Sequence, residues 1–167
     1  MLVNGYSPGL ELFTKEEAYR LIFEGYGSVQ DYFREVSGGL FYLSGSVIGW
    51  FRGSLSEIYP REASGEDIKQ FLEKTGVDYR QYDIIAFLIK SPDMRGVIGW
   101  STLGDWDLLG KPTAFAWVGL DEYSRLFDSS FYRTSTLTNL TFLLAHELGH
   151  NLGLHHSSST ALACTML

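Results

Sequence analysis

Apolar residues recur with helical spacing in three early segments of the chain, and each segment opens at a hydroxyl residue. Thr14, Ser28 and Ser64 each stand three residues before an acidic side chain. Ser or Thr in this position caps the first turn of a helix, and an acid three residues on completes a capping box. The pattern therefore predicts helices over about 14–23, from 28 to the glycines at 38–39, and from 64 to about 76.

Other apolar runs are short and rich in β-branched and aromatic residues, which favours strands. Residues 83–89 are almost all apolar, as a central strand covered on both faces requires. Further strands are predicted at 40–43, 46–51, 97–100 and 113–118, and helical spacing resumes strongly from about 134 to 151. This alternation predicts one α/β domain, with helices packed on a sheet and one long closing helix.

Composition and charge limit the classes of partner that this domain can bind. The chain has 167 residues, of which 45% are hydrophobic and 15% aromatic, so it can bury a substantial core. A net charge of −7 without a basic stripe argues against nucleic acid. The longest apolar run, at 84–89, is far too short to cross a bilayer, and the first residues lack the regions of a signal peptide.

All four histidines lie between residues 146 and 156, on and just after the final predicted helix. His146, Glu147 and His150 form the motif H-E-x-x-H. At about 100° per residue the two histidines are about 40° apart, so the trio shares one side of the helix. The opposite side is apolar, with Leu144, Ala145, Leu148 and Leu152. Imidazoles at this spacing can share one Zn²⁺, and the carboxylate between them can reach a water on the metal.

The motif continues to H-E-x-x-H-x-x-G-x-x-H, which ends at His156. Gly153 can take a positive φ at the helix end and turn the chain back toward the metal. Residues 148–167 contain no Asp or Glu, so a downstream carboxylate ligand is excluded. We therefore predict zinc held by His146, His150 and His156 with an open fourth position, and Glu147 as the general base. Surface histidines without a metal are the alternative, but chance rarely produces the extended motif.

The extended motif resembles that of the metzincin clan of zinc endopeptidases. Segments 1–4, 13–17, 28–37, 43–50, 82–85 and 116–119 also resemble, in order, the gametolysin-like and immune-inhibitor-A-like families. The resemblance implies a metzincin-like fold, with a mixed twisted sheet and a long zinc-binding helix. It also implies a secreted endopeptidase that cleaves extracellular proteins. Its substrate is expected to bind as an added strand on an exposed sheet edge, for which we predict residues 113–119.

Metzincins also carry a methionine turn beneath the zinc, for which Met166 is the only candidate. Its distance of ten residues from His156 is near that of matrixins. In gametolysin-like domains, a segment similar to residues 156–164 precedes a longer loop and a later turn. We favour this second account, in which residues 1–167 are one catalytic domain cut from a longer chain. That chain could also supply a partner for Cys164, the single cysteine.

Three other interpretations stay open from the residues. The domain could be an extracellular adhesion module that keeps the metal without catalysis, although the intact Glu147 argues against this. The same metal centre could hydrolyse a non-protein amide. The acidic pairs at 105 and 107 and at 121 and 122 could bind Ca²⁺, but isolated acidic pairs are more often solvated surface.

Overall fold

Five strands and five helices make up the described part of the chain. The structure, a computed structural model, describes residues 1–5, 12–91, 99–107, 110–120 and 132–156, and only the backbone over 132–139. In chain order the elements are β1 (Leu2–Asn4), α1 (Lys15–Phe23), α2 (Val29–Val36), β2 (Phe51–Arg52), α3 (Leu55–Ile58), α4 (Gly65–Lys74), a 3₁₀ turn (Tyr79–Gln81), β3 (Ile84–Lys90), β4 (Gly99–Ser101), β5 (Ala114–Gly119) and α5 (Tyr132–Asn151).

The strands form one mixed sheet in the order β2-β1-β3-β5-β4. The first four strands in this order run parallel, and β4 pairs antiparallel with β5. β3 occupies the centre, and its register with β5 runs from Ile84↔Ala114 to Ile89↔Gly119. The predicted mixed α/β fold and its central strand are therefore confirmed.

Helices cover both faces of this sheet, which explains the continuous apolar runs of β3 and β5. On one face, Phe87 and Trp117 pack with side chains of α3 and α4 such as Ile58 and Phe71. On the other face, a second cluster joins the sheet to α1, α2 and α5 through Leu2, Val29, Leu88, Val118, Leu144 and Leu148. Alternate residues of a strand point to opposite faces, so β5 contributes to both cores. α5 is thereby fixed against the sheet.

The three predicted caps are present. The Oγ atoms of Thr14, Ser28 and Ser64 accept hydrogen bonds from the backbone N–H groups of Glu17, Asp31 and Asp67. Helices α1, α2 and α4 begin directly after these residues. α5 also covers the segment predicted for the closing helix. No helix in the described ranges is long and apolar enough to span a bilayer.

The predicted strands at 40–43 and 46–51 are wrong. Residues 40–50 have no regular secondary structure, and only Phe51–Arg52 form a strand, β2. Phe41, Leu43, Val47 and Trp50 nevertheless pack against the core beside α1 and α2. An extended segment can bury apolar side chains in this way without forming a strand ladder. Its backbone still bonds to the sheet at one point, where the N–H of Leu2 donates to the carbonyl oxygen of Ile48 at 2.9 Å. The pattern also gave no sign of β1 as a strand, which is only three residues long.

The predicted exposed edge at residues 113–119 is also wrong. β5 lies between β3 and β4, and all six of its residues are buried. Among the described strands, β4 forms this edge of the sheet instead. The strand predicted at 97–100 is confirmed at its described residues, Gly99 and Trp100, but its place at the sheet edge was not predicted.

Candidate metal centre

Three histidine side chains converge at the C-terminal end of α5. The Nε2 atom of His156 lies 3.0 Å from Nε2 of His146 and 2.9 Å from Nε2 of His150. The ligand atoms of all three side chains lie within 4.8 Å of one another, and no other group of three or more His, Cys, Asp or Glu side chains in the described residues meets this condition. The structure thus brings together the three residues that the motif predicted as ligands.

The spacing of these nitrogens fits a zinc ion. Nitrogens bound at about 2.0–2.1 Å to one tetrahedral ion lie about 3.3–3.4 Å apart. The two shorter separations here differ from this value by a few tenths of an ångström, which small side-chain rotations can supply. Three imidazoles also form a donor set that suits zinc and leaves a fourth position open.

Electrostatics around His146 favour the metal-binding form of its ring. Burial lowers the pKa of His146, the neighbouring charge of Glu147 opposes this, and His150 and His156 lower it further. A lowered pKa keeps the imidazole neutral, and the neutral imidazole is the form that coordinates a metal.

The turn at Gly153 returns the chain to the site. Gly153 has a φ of +87°, and the N–H of Leu154 donates to the carbonyl oxygen of Gly149 at 3.0 Å. The same turn places the carbonyl oxygen of Leu154 2.6 Å from Nδ1 of His150. A carbonyl only accepts, so Nδ1 must carry the proton, and Nε2 keeps a lone pair for a metal. The turn therefore presents His156 and sets the tautomer of His150.

We expect Gly153→Val to weaken zinc binding about tenfold or more, although residue 153 is not a proposed ligand. A β-branched residue resists a positive φ, and such strain costs about 1–3 kcal/mol. Competition titration against a chromophoric chelator measures the affinity. Gly149→Ala is the matched control on the same helix, since the added Cβ would meet only Leu154 Cδ1 at 3.6 Å. Unchanged affinity in folded Gly153→Val would contradict the role given to the turn.

Glu147 lies beneath the edge strand rather than in open solvent. Its side chain is only 5% exposed, and the hydroxyl of Ser101 in β4 donates to Oε2 at 2.6 Å. Gly99, two residues earlier in β4, leaves the space that the carboxylate occupies. The motif predicts Glu147 beside the histidines but identifies neither of these β4 residues. Two small residues at i and i+2 of a strand are the only signal that could have indicated them.

Asn151 connects the end of α5 to the same edge of the sheet. Its buried Nδ2 lies 3.0 Å from the carbonyl oxygen of Thr102 and 2.9 Å from that of Phe115. Nearby, the N–H of Gly104 donates to the carbonyl oxygen of His150 at 3.2 Å. These contacts fix the position of α5 relative to β4 and β5, and with it the distance between Glu147 and Ser101. The sequence marked Asn151 only as a helix end.

We expect Asn151→Asp to lower the free energy of unfolding by about 3–5 kcal/mol at neutral pH. The substitution puts a carboxylate oxygen in the place of an N–H donor. The new buried negative charge would then face two carbonyl oxygens instead of hydrogen-bond donors. Urea unfolding followed by circular dichroism measures the change. Asn151→Ala is the control, with a smaller loss of about 1–3 kcal/mol because it introduces no charge. An aspartate variant as stable as the original chain would show that this contact does not hold the helix.

The remaining predicted residues have mixed outcomes. Leu144, Ala145 and Leu148 are buried as expected, but Leu152 is 43% exposed because the chain leaves the helix just before it. His155 is exposed. Asp105 and Asp107 are exposed too, and the described residues around them supply no third acidic ligand, so calcium is not supported. Four residues with predicted roles lie outside the described ranges: Asp121, Glu122, Cys164 and Met166.

A mixed sheet, a long helix with H-E-x-x-H and a third histidine beyond a glycine turn make up a zinc metallopeptidase domain. The sequence model of the matrixin family matches residues 62–166, which is more than half of the chain and includes the whole histidine motif. The chain therefore belongs to the matrixin family of the metzincin clan. No curated protein and no solved structure gives a significant match. The likeness to gametolysin-like and immune-inhibitor-A-like families stays a prediction.

Proposed function

We propose that this domain is a zinc endopeptidase in which His146, His150 and His156 hold the metal and Glu147 acts as general base. The observation that carries the proposal is the convergence of three imidazole Nε2 atoms beside a glutamate on the same helix. A zinc ion held there would polarise the scissile carbonyl and lower the pKa of a bound water toward about 7.

Glu147 performs the proton transfers in this proposal. It is the acidic residue inside the motif, and its carboxylate faces β4, where the hydroxyl of Ser101 donates to it. The carboxylate accepts a proton from the attacking water and later delivers it to the leaving amine. Its burial keeps competing bulk water away from that proton.

The substrate of a peptidase domain is a protein or peptide, and β4 offers it a binding edge. Among the described strands, β4 pairs only with β5. The backbone N–H and C=O groups on its other side can therefore pair with an added strand. An extended peptide on that edge would run past Ser101 and Glu147, next to the histidines. Matrixins are generally extracellular, so we also propose that this chain acts outside the cell.

A protease assay on an unfolded protein substrate tests the proposal. The zinc-loaded chain should cleave it, a chelator should abolish cleavage, and restored zinc should recover cleavage. Peptide mapping of the products identifies internal cleavage. Binding of the polypeptide without any chelator-sensitive cleavage would instead favour the adhesion module. Turnover of small amides alone would favour a non-protein substrate.

A further inference from the structure

The edge strand β4 turns two of its three residues toward Glu147. Successive residues of a strand point to opposite faces. Trp100 points away from α5, with its ring centroid 4.9 Å from that of Trp117 on the opposite face of the sheet. Gly99 and Ser101, on either side of it, therefore share the face that meets α5. Both contact the Glu147 side chain.

Gly99 permits the close approach of the carboxylate. A Cβ atom at residue 99 would overlap Oε1 of Glu147 and lie 2.9 Å from its Cδ. Both separations are far below a van der Waals contact, so no residue with a side chain fits unless Glu147 or the strand moves. Gly99 has no positive φ to explain its presence. Space for Glu147 is thus the physical reason for a glycine here.

Ser101 fixes the orientation of the Glu147 carboxylate. Its Oγ donates to Oε2 of Glu147 at 2.6 Å, a short distance typical of a hydroxyl bound to a carboxylate. The two residues are 46 positions apart in sequence, and Glu147 is almost fully buried. In such a site one fixed hydrogen bond selects one rotamer of the glutamate side chain. Because the carboxylate is then already oriented, little side-chain entropy is lost at the moment of reaction.

We propose that Gly99 and Ser101 are positioning residues for Glu147, with Gly99 making room for the carboxylate and Ser101 holding one of its oxygens. This inference rests on the proposed function, in which Glu147 is the base. The serine would act only through Glu147 and would contact neither zinc nor the scissile bond. Its loss should therefore lower kcat and leave KM and zinc content unchanged.

Thr and Val at residue 101 provide a matched pair, because they have nearly the same shape and differ in the hydroxyl group. We expect Ser101→Val and the smaller change Ser101→Ala to lower kcat about 10- to 100-fold, with KM and zinc content within twofold of the original chain. Ser101→Thr should retain most of kcat. Equal losses in the Thr and Val variants, a kcat of Ser101→Ala within twofold of the original, or a change in KM alone would overturn the role of the hydroxyl.

Gly99→Ala tests whether Glu147 needs the space that the glycine leaves. We expect it to lower kcat at least as much as Ser101→Ala, whereas Gly149→Ala, whose added methyl group would make only an ordinary contact with Leu154 Cδ1 at 3.6 Å, should change kcat less than twofold. Full activity in folded Gly99→Ala would overturn the argument from close approach.

A double-mutant cycle in urea unfolding of the metal-free chain tests the contact without any activity. Ser101→Ala and Glu147→Ala should be non-additive, because each removes the same hydrogen bond. Additive effects would overturn the positioning role. The cycle also separates this inference from the proposed function. A chain without peptidase activity but with non-additive effects would have the Ser101–Glu147 contact and lack the proposed function. An active chain with additive effects would have the proposed function without positioning by Ser101.

Discussion

Glu147→Gln is expected to lower kcat by about 10²- to 10⁴-fold while zinc content stays close to that of the original chain. General-base catalysis contributes a factor of this size, and an amide cannot accept the proton from water. The three imidazoles that form the proposed ligand group stay in place, because Glu147 is not one of them. The amide oxygen can still accept the hydrogen bond of Ser101, so the side chain should keep its position.

Metal analysis of the purified variant, beside steady-state kinetics on a peptide, decides this prediction. Glu62→Gln is a suitable control, because it makes the same chemical change at an exposed residue away from the histidines. It should retain full activity and zinc. Parallel loss of zinc and activity in the Glu147 variant would mean that the glutamate supports the metal instead of the proton transfer.

Local signals explain why much of this fold could be predicted from the sequence. The caps at Thr14, Ser28 and Ser64 act within four residues, so the sequence nearby contains the whole interaction. The apolar runs of β3 and β5 are continuous because both faces of the sheet are covered. The histidine motif is equally local, since a helix and one glycine turn determine where its side chains meet.

Long-range contacts explain what could not be predicted. The segment 40–50 has the composition of strands, but whether it pairs depends on the rest of the sheet. The sequence predicts a strand at 97–100, but the position of β4 at the sheet edge depends on its pairing with β5. Contacts of Glu147 with Ser101, and of Asn151 with Thr102, span 46 and 49 positions. No pattern within either segment indicates its partner, so the surroundings of the glutamate required the structure.

His155 and His156 are adjacent, yet replacing them by alanine should have opposite effects on zinc. We expect His156→Ala to lose zinc affinity by more than about 100-fold, and most activity with it, since a direct ligand should matter more than the outer partners that change affinity about 10- to 100-fold. His155→Ala should keep near-stoichiometric zinc. Metal analysis after gel filtration, with circular dichroism to establish folding, measures both.

The geometry after Gly153 gives the reason for this difference. Neighbouring side chains in an extended segment point to opposite sides, so a chain that turns one histidine toward the site turns the other away. His156 places its Nε2 within 3.0 Å of the corresponding atoms of His146 and His150, whereas His155, although described, is not part of this group of converging ligand atoms. If His155→Ala released the metal and His156→Ala retained it, the third ligand would be His155. The alignment of the chain with the H-x-x-G-x-x-H spacing would then be displaced by one residue.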